Sequence, residues 1–149
     1  MRGFLGLMVI LMLVIINFGC SAGSKEKAGT EANIESAANN NIKYADDMSS
    51  FNEMINSGQP VLVDFYADWC APCRMMAPIL EQVAGNMNGK VKVLKVDVDK
   101  NRQAAAKYGI KSIPTLMLFQ NGEIKWQGVG VIQADQIEQI VLSKSTPLQ

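Results

Sequence analysis

From Ile42 onward, short apolar runs alternate with stretches in which apolar residues recur every three or four positions. Runs of the first kind read as strands, and stretches of the second kind as helices with one buried face. Ile42-Lys43-Tyr44 predicts a short strand. Met48, Phe51, Met54 and Ile55 share one helical face, with Asp46 or Asp47 placed to cap it. Ser57-Gly58 ends that helix and Pro60 blocks its continuation. Val61 to Tyr66 is apolar apart from Asp64, the pattern of a central strand buried on both faces. The next helix opens at the Cys70/Cys73 pair and turns Met76, Ile79, Leu80 and Val83 inward; Pro78 inside it predicts a kink. Val91 to Asp97 reads as a strand, and Arg102 to Tyr108 as a short helix stopped by Gly109. Thr115 to Phe119 and Glu123 to Gln127 flank Asn121-Gly122, a hairpin signal. Asp135 to Leu142 closes the chain as a helix with Ile137, Ile140 and Val141 on its inner side. Alternating units followed by a hairpin predict an α/β domain with a central mixed sheet of four to five strands and helices on both faces.

The segment before Ile42 follows different rules. Arg2 is basic, Phe4 to Ile16 is almost wholly apolar, and Gly19, Ser21 and Ala22 surround Cys20. That order predicts a secretory signal over residues 1–19. Its apolar part is shorter than the roughly 20 residues that span a bilayer comfortably. A cysteine directly after glycine at this point resembles the lipobox of bacterial lipoproteins, in which the cysteine is acylated and begins the mature chain. Asn17 and Phe18 depart from that pattern, and an uncleaved membrane anchor is the alternative. Ser21 to Asn41 carries Ile34 as its one large aliphatic residue and cannot repay the entropy of ordering. Residues 20–41 are therefore expected to be a lipidated cysteine and a flexible tether, reaching roughly 25 Å as a random coil. The domain proper is expected over residues 42–149.

Composition removes several kinds of function. At 149 residues the chain suits one globular domain. Lys plus Arg equals Asp plus Glu at 14 each, with no basic stripe, so nothing points to nucleic acid. The chain has no histidine, which removes the commonest metal ligand and the commonest general base. No metal site is expected. Haem attachment would need histidine after Cys73, where Arg74 stands.

The three cysteines then divide into Cys20 and a Cys-x-x-Cys pair beside a strand pattern, which reads as a dithiol/disulfide redox centre. A disulfide serving only as a staple is the alternative, but closing so short a loop constrains the unfolded chain little.

Asp64 to Cys73, Tyr108 to Thr115 and Phe119 to Glu123, in this order and spacing, resemble thioredoxin. The resemblance covers about Ile42 to Ser143. It implies the thioredoxin fold and a thiol–disulfide oxidoreductase, with no cofactor beyond the redox-active disulfide Cys70–Cys73. Cys70 at a helix N-terminus, where the dipole favours an anion, would attack substrate disulfides. Cys73, more buried, would resolve the mixed disulfide. Asp64 would be the buried acid beneath them, its pKa raised by burial so that it exchanges protons near neutrality. Lys95 would keep it partly ionised; the bland reading of Lys95 is a solvent-facing strand residue.

The resemblance also implies a rim and a setting. Ile113-Pro114 matches the family's cis-proline turn, which leaves backbone free to pair with an extended substrate. Trp69, Ala71, Pro72, Ile113, Pro114, Val129 and Gly130 would bind substrate, although Trp69 alone could be core. Met75 and Met76 read as gap-filling core. Asp68 and Arg74 would tune local charge or be plain solvated surface. Ala71 stands where thioredoxins usually carry glycine, which implies a shifted redox potential. The expected setting is the bacterial cell envelope, anchored to a membrane and facing the periplasm or the outside of the cytoplasmic membrane. The expected partners are protein disulfide substrates and a membrane or envelope electron donor, with the chain a monomer. Reduction of protein disulfides is the expected direction; a redox-silent binding module or a disulfide oxidant or isomerase are the alternatives.

Overall fold

The computed structural model describes residues 41–145. The expected signal, Cys20 and nearly all of the tether lie outside the described residues. The described residues fall within one compact unit. Their elements are β1 (Ile42–Tyr44), α1 (Met48–Ile55), β2 (Val61–Tyr66), α2 (Ala71–Met87), β3 (Lys92–Asp97), α3 (Arg102–Lys107), β4 (Thr115–Gln120), β5 (Glu123–Val129) and α4 (Ala134–Lys144). The five strands form one sheet in the order β1-β3-β2-β4-β5. The pairs β1–β3 and β3–β2 are parallel, while β2–β4 and β4–β5 are antiparallel. Among the described residues no helix is long and apolar enough to cross a membrane.

Local signals account for most element ends. Asp47 caps α1 by accepting a hydrogen bond from the Ser50 N–H at 2.8 Å, which settles the choice between Asp46 and Asp47. Asn101 caps α3 in the same way, through the Ala104 N–H at 3.1 Å. Asn121 and Gly122 both take positive φ in the β4–β5 turn. A Cβ on Gly122 would collide with the Asn56 side chain, so glycine is needed there twice over. The helix α2 runs unbroken from Ala71 to Met87 through Pro78. The strand β5 extends past the predicted Gln127 to Val129, and α4 gains a residue at its start and two at its end.

Two cores flank the sheet. Leu62, Val93, Leu116 and Leu118 pack on one face against Met76, Leu80 and Val83 of α2 and Ile137 and Val141 of α4. Val63, Phe65, Leu94, Val96, Met117 and Phe119 pack on the other against Phe51 and Ile55 of α1 and Ala104 of α3. Phe51 there meets Phe65, Tyr108 and Phe119 with ring centroids 6.2, 5.3 and 5.9 Å away. Residues of β2 thus alternate between two dry layers, as its near-continuous apolar sequence requires. That is the environment into which Asp64 is placed.

Candidate active site

The carboxyl end of β2 feeds directly into α2, and this junction carries the two thiols. Cys70 is the N-cap of α2, and its Sγ accepts a hydrogen bond from the Cys73 N–H at 3.2 Å. One of the helix's unsatisfied N–H groups therefore points at the sulfur, as an attacking thiolate needs. Pro72 occupies the first turn, where its missing N–H costs nothing. Cys70 and Cys73 are joined as a disulfide with sulfur atoms 2.04 Å apart. They are almost equally enclosed, at 4% and 3% exposure, so the expected difference in burial is absent in this oxidised state. Both sit in a small apolar cluster with Ala67, flanked by Tyr66, Val98 and Ile113.

The structure buries Asp64 completely. Its register partner across the parallel β2–β3 ladder is Lys95, whose Nζ lies 3.5 Å from Asp64 Oδ2. The pair is at ion-pair distance but lacks hydrogen-bond geometry, so neither carboxylate oxygen accepts a hydrogen bond among the described residues. Burial pushes the Asp64 carboxyl up to about 6, with the Lys95 ammonium pulling in the opposite direction. Lys95 is thus a core-facing partner of Asp64, and the solvent-facing reading is excluded.

A cleft of about 220 Å³ lies between Lys95 and Cys73, with Asp64 buried behind Lys95 and not itself on the lining. Tyr66, Asp68, Cys73, Arg74, Ala77 and Lys95 line it. Water in this cleft reaches Cys73 and Lys95, the two groups on either side of it that bear on proton transfer. Arg74 Nη1–H donates to the Asp68 backbone oxygen at 3.2 Å.

Opposite the disulfide, the Ile113–Pro114 bond is cis. The Gly130 N–H donates to the Pro114 oxygen at 2.8 Å, which ties the end of β5 to this turn. Val129 is exposed beside it. Trp69 is 69% exposed, which rules out the core reading, and its Nε1–H donates to Asp99 Oδ2 at 2.8 Å. A groove of about 310 Å³ runs from Trp69 past Val98, Ala105 and Ile110 to Ile113, with Lys111 on its edge. Met76 is fully buried as expected, but Met75 is 61% exposed. Successive helix positions point about 100° apart, so the two methionines could not both face the core.

The sequence reading missed two residues. Asp99 lies 30 positions from the tryptophan it anchors, so no local pattern links them. Tyr66 shares the Asp64 face of β2 by the two-residue period and has Lys95 Nζ 4.4 Å from its ring centroid. That period was a usable signal. Among the described residues no cluster of three or more metal-ligating side chains is present.

This geometry matches known proteins along nearly the whole described region. A sequence model of the thioredoxin family matches residues 42–143. The thioredoxin of Rickettsia bellii is 50% identical over 91 residues, covering 61% of this chain and 87% of its own. That of Pseudomonas aeruginosa is 43% identical over 91 residues, covering 61% and 84%. Among solved structures, a point mutant of the Halobacterium salinarum thioredoxin superposes with a TM-score of 0.66 at 33% identity, covering 72% of this chain and 94% of its own. The Malassezia sympodialis thioredoxin does so with 0.64 at 29%, covering 70% and 94%. With its redox disulfide at the head of α2, the chain belongs to the thioredoxin family of thiol–disulfide oxidoreductases.

Proposed function

We propose that this protein reduces disulfides in other proteins, outside the cytoplasm, from a lipid-anchored N-terminus. The observation that carries the chemistry is the Cys70 sulfur at the head of α2, hydrogen-bonded by the Cys73 N–H. In the dithiol form, the Cys70 thiolate attacks a substrate disulfide. A mixed disulfide forms, and the first substrate sulfur leaves as a thiolate that takes up a proton. Cys73 then gives its proton to Asp64 and attacks Cys70 Sγ. The Cys70–Cys73 disulfide closes and the second substrate sulfur is expelled and protonated. Two electrons pass from the dithiol to the substrate, and an external dithiol donor restores them.

Asp64 suits the proton transfer because a carboxyl at about 6 exchanges protons close to neutral pH. Lys95 keeps part of it ionised and so able to accept. Trp69, Ala71, Pro72, Val129 and Gly130 form the rim, with the Ile113-Pro114 turn offering backbone to an extended substrate. The wild-type chain is expected to catalyse reduction of insulin disulfides by dithiothreitol, and Cys70→Ser to fall to the uncatalysed rate. Equal rates for the two would refute the enzyme reading. The redox potential decides direction. A value near that of thioredoxin itself, about −270 mV, supports a reductant; one near the about −120 mV of DsbA identifies an oxidant.

The setting rests on the sequence before residue 42. The basic start, the apolar stretch and Gly19-Cys20 support a lipoprotein signal, with Cys20 acylated and the segment to residue 41 as tether. The electron donor would then be a membrane or envelope dithiol protein. Labelled fatty acid is expected in the wild-type chain and not in Cys20→Ala. Equal labelling of both would refute Cys20 as the anchor.

A further inference from the structure

The Lys95 ammonium is nearly dry, its side chain 11% exposed, yet its carboxylate partner at 3.5 Å offers it no well-aligned hydrogen bond. A lysine in that position tends to swing its flexible stem toward water. The exit is at hand, because Lys95 lines the cleft whose wall includes Asp68 and Arg74. Asp68 there would attract the ammonium away from Asp64. What opposes this is the Tyr66 ring, whose face lies 4.4 Å from Lys95 Nζ, well inside the range of cation–π attraction.

Strand register makes this contact. Asp64 and Tyr66 are two apart on β2 and so share a face, and Lys95 is paired with Asp64 on β3. We infer that Tyr66 is a positioning residue: its ring face holds the Lys95 ammonium against Asp64 and so sets how readily Asp64 exchanges a proton with Cys73. This rests on the oxidoreductase reading above.

The surroundings leave the ring able to do this across the working pH range. Burial, then the carboxylates of Asp97 and Asp68, then Tyr44 and Asp64, push the Tyr66 phenol up to about 12, so it stays neutral. The charged or titratable groups on this face are Asp64 and Tyr66 from β2, Asp97 from β3 and Tyr44 from β1. Asp68 comes from the β2–α2 turn and Arg74 from α2; Cys73, beside them, is held in the disulfide and carries no charge.

The test is the titration of the Asp64 carboxyl, followed by carbon NMR in the oxidised full-length chain. Tyr66→Leu frees Lys95 and is expected to raise the midpoint from about 6 by about one pH unit, the low end of what one close opposite charge contributes. Tyr66→Phe keeps the ring and leaves the midpoint in place. In a Lys95→Met background, Tyr66→Leu adds nothing further. The inference is overturned if Tyr66→Leu leaves the midpoint unmoved, or moves it equally without Lys95. Should the leucine variant not fold, the wild-type spectrum still decides. Ring-current-shifted Lys95 ε-protons support the contact and unshifted ones refute it. Because the titration is read without turnover, a chain that shows the shift but reduces no disulfide refutes the reductase reading instead.

Discussion

Cys73→Ser converts this protein into a trap: the variant is expected to accumulate as a covalent adduct with its disulfide substrates. Cys70 keeps its place at the head of α2, and the residue-73 backbone N–H can still donate to its sulfur. The first step therefore proceeds. A serine hydroxyl at position 73 is too weakly acidic to displace the substrate thiolate, so the mixed disulfide persists. Turnover is expected to drop by at least about 10⁴-fold, the lower end of the loss when one member of a unit that acts together is removed. Adduct bands on non-reducing gels that vanish on reduction would show it, and their recovery also identifies the clients. Cys70→Ser is expected to form no such adducts. Adducts from Cys70→Ser but not from Cys73→Ser would reverse the assigned roles, and equal yields would show that either thiol can attack.

Removal of Asp64 is expected to stabilise the fold while slowing the reaction. A carboxyl at about 6 in the native state against an ordinary value of 3.8 binds its proton more tightly when folded. Between those values the folded state holds more protons than the unfolded one, so stability from this group falls as pH rises through the window. Above about pH 6 the penalty is complete, on the order of 3 kcal/mol at 1.36 kcal/mol per pH unit. Asp64 is fully buried, so solvent does not screen this away. Asp64→Ala removes the buried charge and leaves a small cavity, while Lys95 can extend through the cleft. The expected net gain at pH 7 is about 2 kcal/mol in urea unfolding. The gain should shrink as pH falls from 6 to 4. Asp47 and Glu123, whose carboxyls are held low by Ser50 and Lys125, are common to both chains and cancel in the difference. Closure of the mixed disulfide at pH 7 is expected to slow by about 10²-fold, the lower range for loss of a general base. A variant no more stable than wild type at pH 7, or with an unchanged closure rate, would contradict this account.

The same residue shows how far sequence reasoning reaches. A lone acid in an apolar run announces a costly burial, so Asp64 was legible before any coordinates. Its pairing with Lys95 followed only from family resemblance, because the two lie on different strands and β2–β3 register is not written in either segment. Trp69 was ambiguous and Met75 was misread as core for a related reason. Apolar side chains belong to a core or to a recognition surface according to what packs over them. Trp69 precedes α2 and Met75 lies on its outer side, where nothing covers them, so both emerge into solvent. The expectation that Cys73 would be more enclosed than Cys70 failed because the disulfide draws both sulfurs into one small cluster.

By itself, the sequence determined the strands, the helices and most of their ends, since period, caps and turn residues act within a few positions. It also placed Cys70 at the head of a helix, because capping is local. Tertiary structure alone decided the β2–β3 register that sets Lys95 against Asp64, that Tyr66 faces the same ammonium, and that Trp69 is anchored by Asp99. Each of these joins residues distant in the chain, and burial, charge coupling and ring contact depend on distances that only the packed sheet creates.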